Sequence, residues 1–418
     1  MIKKIKADGK KEVKFINELQ RRNLENKDVH GIVTEIIENV KNRGDDALRE
    51  YAKKFDNLDI EDFEVFPDLD KADEKLTEAL LNAIENISEY HRNQIEKGFS
   101  VTKENGIMLG QRVRGLHSVG LYVPGGTAAY PSSVLMNAVP AKIAGVEEII
   151  VVTPKATNEI LTACALCGVD RVFQVGGAQA IAALSFGTKS IPKVDKIVGP
   201  GNIFVTTAKK LLFGTVDIDM TAGPSEILIL ADENANPKYI AADLMSQAEH
   251  DILASSVLIT TDEKVADETI KELELQIKNL SRKDIIEKSL SEQGAIIVCE
   301  SMAYAVELAN LVAPEHLEVL AENPFEYIGR LDNAGSVFLG EYSPEPLGDY
   351  YAGPNHVLPT SGTAKFFSPL SVSDFYKKSS YIFYPKSELM NASEDIITIA
   401  ETEGLTAHAN SIKVRTQN

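Results

Sequence analysis

The chain has seven histidines, and four of them, His250, His316, His356 and His408, stand near side chains that could share chemistry with an imidazole. Gln247 and His250 fall at the end of a helix expected from Asn236-Pro237, an N-cap followed by proline at the first helical position, to about His250. Ile240 and Leu244 mark its apolar stripe. At roughly 100° per residue, Gln247 lies within about 20° of Ile240 with His250 about 60° beside it, while Glu249 points to solvent. A buried amide and imidazole need partners. On this helix alone a hydrogen-bonded polar pair in the core is the plainer answer, and a metal ion is the other.

Ala313-Pro314-Glu315-His316 sits where a helix should stop and a strand begin, because proline disfavours the helical state before it. Glu315 and His316 could act there as an acid/base pair, since imidazole titrates near neutrality, although a lone Glu-His is more often simply solvated. Asp349, in Gly348-Asp349-Tyr350, is a candidate oxygen ligand. His356, in Gly353-Pro354-Asn355-His356, is a candidate substrate contact, and single loop residues of either kind also serve turns. Glu403 and His408 place a carboxylate at a helix end and an imidazole just beyond it. Together Gln247, His250, Asp349 and His408 would give two nitrogens and two oxygens, a borderline set suited to zinc with positions left for substrate.

No G-x-G-x-x-G follows any strand. In its place stand Tyr122-Val123-Pro124-Gly125-Gly126, Gly176-Gly177-Ala178-Gln179 and Gly199-Pro200-Gly201-Asn202, each between a strand and a helix. Glycine there lets backbone approach a phosphate at a helix N-terminus, and equally serves an ordinary turn.

The elements that must position these residues change character along the chain. The first hundred residues read as helices, with Leu80, Ile84 and Ile87 on one face. From Ser118 onward, short β-rich runs alternate with helical ones: Val119 to Val123, Ile149 to Val152, Arg171 to Val175 and Lys196 to Val198. A second series follows, with strands at Glu226 to Leu230, Ser256 to Thr260, Ala295 to Cys299, Leu317 to Leu320 and Ser336 to Leu339. The fold class is therefore α/β with parallel sheets, in two tandem units that a duplication could explain. Gly340 to Gly362 breaks the rhythm, since eight of its 23 residues are Gly or Pro, and long irregular stretches are usually functional. Ser393 is a candidate cap for a last helix that Gly404 ends at Glu403.

Composition narrows the function. With 418 residues, 44% of them hydrophobic, the chain can build more than one core. Its net charge of −19 would repel a polyanion, which disfavours nucleic acid as a partner. Three cysteines are too few for a disulfide framework, and Cys164-x-x-Cys167 lies in an apolar helical run, read as core. Lys10, Lys11, Asn17 and Glu18 interrupt any export signal, and no window is apolar enough for a membrane span. A cytoplasmic protein is expected.

These residues resemble the histidinol dehydrogenase family over nearly the whole chain. The specific stretches are Val119 to Gly126, Val175 to Leu184, Gly199 to Asn202, Ala222 to Glu226, Gln247 to His250, Ala313 to His316, Gly353 to Thr360 and Glu403 to His408. The resemblance implies an NAD-dependent homodimer with one zinc ion (Zn2+) per subunit, oxidising L-histidinol through L-histidinal to L-histidine with two NAD per product. It matches Gln247, His250, Asp349 and His408 to zinc ligands that also line the substrate site. Ser225, His316, His356 and Glu403 match substrate contacts, Glu315 and His316 the catalytic pair, and Tyr122, Gln179 and Asn202 the NAD positions. His408 and Glu403 would come from the partner subunit. The implied architecture is two incomplete Rossmann-like parallel-sheet units with a helical N-terminal region and a small C-terminal helical unit. Its expected boundaries are an arm over 1–20, a first α/β domain over 21–118 and 227–370, an NAD-side domain over 119–226, and a dimerisation unit over 371–418. A zinc hydrolase without nucleotide, or a metal-dependent binding protein without catalysis, would use many of the same residues. The three glycine turns speak against the first.

Overall fold

The computed structural model describes residues 2–21, 27–67, 69, 71–125 and 129–416; Gly126, the last residue of the first glycine turn, lies outside them. In chain order the strands are β1 (Lys3–Lys6), β2 (Glu64–Val65), β3 (Phe99–Thr102), β4 (Met108–Gly115), β5 (Ser118–Tyr122), β6 (Glu148–Thr153), β7 (Arg171–Gln174) and β8 (Lys196–Val198). They continue with β9 (Asp217–Ile218), β10 (Glu226–Ala231), β11 (Ser255–Thr260), β12 (Ala295–Val298), β13 (His316–Leu320), β14 (Ser336–Leu339) and β15 (Tyr376–Phe383). The nine strands read from the sequence are present with their ends moved by one residue or none. Every residue of β5, β10, β11, β12 and β13 is buried, because a parallel strand covered by helices on both faces has no solvent side.

Twelve of the strands form two six-stranded sheets, which are parallel apart from one edge pair. The first has the order β1-β12-β11-β10-β13-β14. Ile227, Ile229 and Leu258 fill one face beneath Ile240 and Leu244 of the helix Pro237–Ala248. Leu228, Leu230 and Val257 fill the other beneath Leu308 and Ala309 of the helix Met302–Val312, as strand alternation requires. The second has the order β2-β7-β6-β5-β8-β9, with β2 antiparallel at its edge.

The packing departs from the expected domain boundaries. The helices Lys27–Arg43 and Asp45–Phe55 do not join the first sheet: Val33, Ile36, Val40 and Leu48 share a core with Phe173, Ile181 and Val205 of the second. Their apolar faces cover helices that the second sheet leaves open on that side, and β2 then pairs with β7. The arm is also structural, since β1 extends the first sheet beside β12.

Residues 95–115 and 376–418 form a separate compact unit. It is not purely helical. An antiparallel sheet, β15-β4-β3, accompanies the helices Lys386–Thr402 and Thr406–Thr416. The Ser393 cap is not observed: the helix begins after Pro385, and the Ser393 hydroxyl donates to the Met390 carbonyl inside it. Serine followed by two acids carries a cap signal, but nothing interrupts the helix N-terminal to it. The end at Glu403 is as expected, with Gly404 at φ 74°.

Candidate active site

The catalytic candidates gather at the amino edge of the first sheet. Glu315 follows a turn in which Ala313 takes the left-handed conformation, φ 52°, that stops the helix Met302–Val312, and His316 opens β13. Pairing of β13 with β10 sets His316 beside Ile227. The Glu226 amide then donates to Glu315 Oε2 (2.8 Å), and His316 Nδ1–H donates to the Glu226 carbonyl (3.0 Å). In the neutral ring that donation fixes the tautomer and leaves Nε2 with the lone pair. Nε2 is buried without a hydrogen bond, and Asp349 Oδ1 lies 3.5 Å from it, close enough to pair with the ring when it is protonated.

The stretch read as irregular contains a six-residue helix, Glu345–Tyr350, and this short element matters most. Glu345 and Asp349 are one turn apart on it, about 6 Å along the axis, while His316 and Glu318 are two steps apart on one face of β13, about 6.7 Å. The two repeats match. The Glu345 amide donates to Glu318 Oε1 (2.7 Å) at one end, and Asp349 meets His316 at the other. Gly348 allows the approach, since a Cβ there would strike the Phe338 ring. Phe338 in turn lies 5.9 Å from the His316 ring, centroid to centroid.

Gln247 occupies the last turn of Pro237–Ala248 and is 1% exposed. Its Nε2 is 3.5 Å from Glu315 Oε2, and its Oε1 is buried without a hydrogen-bond partner. His250 follows that helix in a turn, its amide donating to the Gln247 carbonyl (3.2 Å). Among the described residues, His250, Glu345 and Asp349 place one donor atom each within 4.8 Å of one another. Two carboxylates and an imidazole so grouped are a donor set that a divalent cation satisfies, and the unpartnered Gln247 amide oxygen, three residues before His250, is a further donor of the same kind.

Electrostatics agree with that grouping. Burial pushes the Glu315 carboxyl up to about 8. Burial works against a charged His316, but the Glu315 and Asp349 carboxylates outweigh it and hold the imidazole above its ordinary range. Burial alone would raise Asp349 too, yet His316 and His356 hold it well below the usual carboxylate range. Glu345 is pushed up to about 8, by burial and then by Asp349. Burial lowers His250 and His356, keeping both neutral and able to act as ligands or acceptors. His356 Nδ1–H donates to the Asp349 carbonyl (3.0 Å), so its Nε2 is the free nitrogen, and the ring borders a cavity lined also by Phe338, Leu347 and Leu358. Ser225, half-buried, immediately precedes Glu226.

The structure thus brings together Gln247, His250, Glu315, His316, Asp349 and His356. Glu403 and His408 belong to the second compact unit, where both are exposed. Glu345 was missed by the sequence reading; the signal for it is the four-residue spacing Glu345 to Asp349 directly after Pro344.

The glycine turns occupy the carboxyl edge of the second sheet. The buried Tyr122 ends β5, and its hydroxyl accepts from the Gly177 amide (3.1 Å). Gln179 is buried in the helix Gly177–Phe186, and Gly199 packs so closely on the Tyr122 carbonyl that a Cβ there would collide with it. Asn202 is exposed and caps the helix Ile203–Leu212, accepting from the Phe204 (3.1 Å) and Val205 (3.2 Å) amides.

Comparison with known proteins agrees over the full length. The family model described as histidinol dehydrogenase matches residues 19–416. A histidinol dehydrogenase from Clostridium acetobutylicum is 58% identical over 418 residues, covering 98% of this chain and 96% of the relative. One from Listeria monocytogenes is 53% identical, covering 96% of each. The crystal structure of histidinol dehydrogenase from Elizabethkingia anophelis superposes with a TM-score of 0.92 at 38% identity, over 100% of this chain and 98% of that one.

Proposed function

The chain belongs to the histidinol dehydrogenase family, and on that premise we propose that it oxidises L-histidinol to L-histidine through L-histidinal at the site around His316, reducing two NAD per product. The observation that carries this reading is His316 Nε2, buried without a hydrogen bond and 3.5 Å from the Asp349 carboxylate, which lies beside His250. Gln247, His250 and Asp349 would hold zinc, with His408 supplied by a second copy of the chain in a homodimer. When bound, zinc supplies a Lewis acid for the nitrogen donors of the substrate, and NAD supplies the hydride acceptor.

His316 takes the hydroxyl proton on Nε2 as hydride leaves the same carbon, giving the aldehyde. Its Nδ1–H, held by the Glu226 carbonyl, keeps Nε2 directed at the substrate throughout. In the second half Glu315 takes a proton from water as the water oxygen adds to the aldehyde carbon, and protonated His316 returns its proton to the carbonyl oxygen. His316 then accepts the proton of the resulting diol as the second hydride leaves. Overall one water is consumed and three protons are released with L-histidine as the carboxylate. Glu315 suits the second step because burial leaves it a stronger base than an ordinary carboxylate. Ser225, His356 and, from the second copy, Glu403 would contact the substrate, while Tyr122, Gln179 and Asn202 would hold NAD. No helix among the described residues is long and apolar enough to cross a membrane, and the three free cysteines suit the cytoplasm, where we place the enzyme.

The test is metal removal and reconstitution. Protein stripped by a chelator should form no NADH from L-histidinol and recover on addition of zinc. Turnover of L-histidinol without NAD would overturn the proposal in favour of a hydrolase.

A further inference from the structure

The second sheet carries a buried ion pair that lies outside the residues read as catalytic, zinc-binding or NAD-binding. Lys209, on the helix Ile203–Leu212, and Asp219, just after β9, have side chains only 3% and 1% exposed and contact each other. Both also reach the backbone of one residue, Gly199. Asp219 Oδ2 accepts from the Gly199 amide (2.8 Å), and Lys209 Nζ donates to the Gly199 carbonyl (2.9 Å). A further amide, that of Met220, donates to Asp219 Oδ1 (2.6 Å).

Burying two charges is a poor way to add stability, since apolar side chains of the same volume commonly serve as well or better. What an ion pair adds is fixed geometry, and here the geometry is that of Gly199. This residue has φ 107°, a conformation open to glycine, and it lies against the Tyr122 carbonyl. Gly199 opens the turn that delivers Asn202 to the start of its helix. The lysine side chain can reach that turn because long helical side chains lean towards the N-terminus.

We infer that Lys209 and Asp219 are positioning residues for the dinucleotide: by holding both polar groups of Gly199 they set the 199–202 turn against Tyr122. This rests on the reading of Tyr122 and Asn202 as NAD contacts. Neither charged group touches the nucleotide, because each is consumed by the other and by the backbone. Loss of the clamp lets the turn relax, and misplacement by about 1 Å costs on the order of a hundredfold. The effect falls on NAD alone, since the zinc candidates lie on other elements.

The experiment compares the zinc-loaded full chain with the double variant Lys209→Met/Asp219→Leu, which removes both charges together and leaves neither unpaired. The expected result is a KM and Kd for NAD raised about ten- to a hundredfold, with zinc content and the KM for L-histidinol unchanged. A folded double variant with NAD affinity within twofold of the parent, or with both KM values raised equally, overturns the inference. If that variant does not fold, Asp219→Asn, which keeps an acceptor for the Gly199 amide but removes the charge, is judged by the same criteria. Asn202→Asp separates this inference from the underlying reading, because it keeps the helix cap while placing a carboxylate where a phosphate would approach. Unchanged NAD affinity in Asn202→Asp refutes the nucleotide reading itself. Weakened affinity there, combined with normal affinity in the clamp variants, refutes only the clamp.

Discussion

Replacing Glu315 by Gln should separate the two oxidations. The residue is 7% exposed, and its side-chain Oε2 accepts from the Glu226 amide at 2.8 Å. A glutamine carbonyl can occupy the same place, so the cost to the fold is that of exchanging a charged acceptor for a neutral one, about 1 kcal/mol. What is lost is the base. General-base assistance contributes roughly a hundred- to ten-thousandfold, or about 2.7–5.4 kcal/mol at about 1.36 kcal/mol per decade. That loss should fall on the second oxidation, in which water must be activated, while the first keeps its own base in His316. Rapid-quench analysis of one turnover should show a first NADH formed within about tenfold of the parent rate and a second delayed by two to four decades. A second signature follows from charge. The Glu315 carboxylate helps hold the His316 imidazole above its ordinary range, so its removal lowers that pKa and moves the rising limb of the first step to lower pH. Equal slowing of both NADH phases, with no shift of that limb, would refute the division of labour between Glu315 and His316.

Glu345→Gln keeps the acceptor for the Ser246 hydroxyl but removes the carboxylate behind Asp349, and should weaken zinc binding about ten- to a hundredfold in competition with a chelator. An affinity within twofold of the parent would show that Glu345 does not support the ligand set. Zinc at about a thousand times its Kd should raise the unfolding free energy by about 4 kcal/mol over the stripped protein, read as a higher Tm by calorimetry; no shift would contradict binding to the folded state alone. Burial raises the Cys164 and Cys299 thiols and pushes Cys167 up to about 12. At pH 8 a thiol of pKa near 12 is thiolate in about one molecule in ten thousand, which keeps Cys167 unreactive, and Cys164 and Cys299 are buried, so none of the three should react with a thiol reagent until denaturant is added. Prompt modification of the native protein would contradict the core reading of the Cys-x-x-Cys.

How much of this was legible in the sequence depended on how local each signal is. Strands such as Glu226–Ala231 and Ser255–Thr260 are apolar runs bounded by polar or turn residues, and they were found almost to the residue. The Asn236-Pro237 start was found for the same reason, and the Asn236 side chain accepts from the Lys238 amide (3.0 Å). Strands β3, β4 and β15 were not found. Met108–Gly115 and Tyr376–Phe383 carry mixed polar residues, and their identity as strands comes from pairing with each other across more than 260 positions of sequence. Attachment of the helix Lys27–Arg43 to the second sheet is equally nonlocal, since an apolar face does not name its partner. At the site, Gln247, His250 and Asp349 could be picked out as donor types, but their convergence needed the match between one helical turn of Glu345–Tyr350 and two steps of β13. The placement of Glu315 and His316 at the amino edge of their sheet was not legible either. The general expectation for open α/β sheets is the carboxyl edge, which here holds the glycine turns instead.

The central claim is that one site carries out both oxidations. Zinc-loaded protein given limiting L-histidinol and excess NAD should yield two NADH for each L-histidinol consumed, with L-histidine as the product. One NADH per L-histidinol, with L-histidinal released into solution, would contradict it.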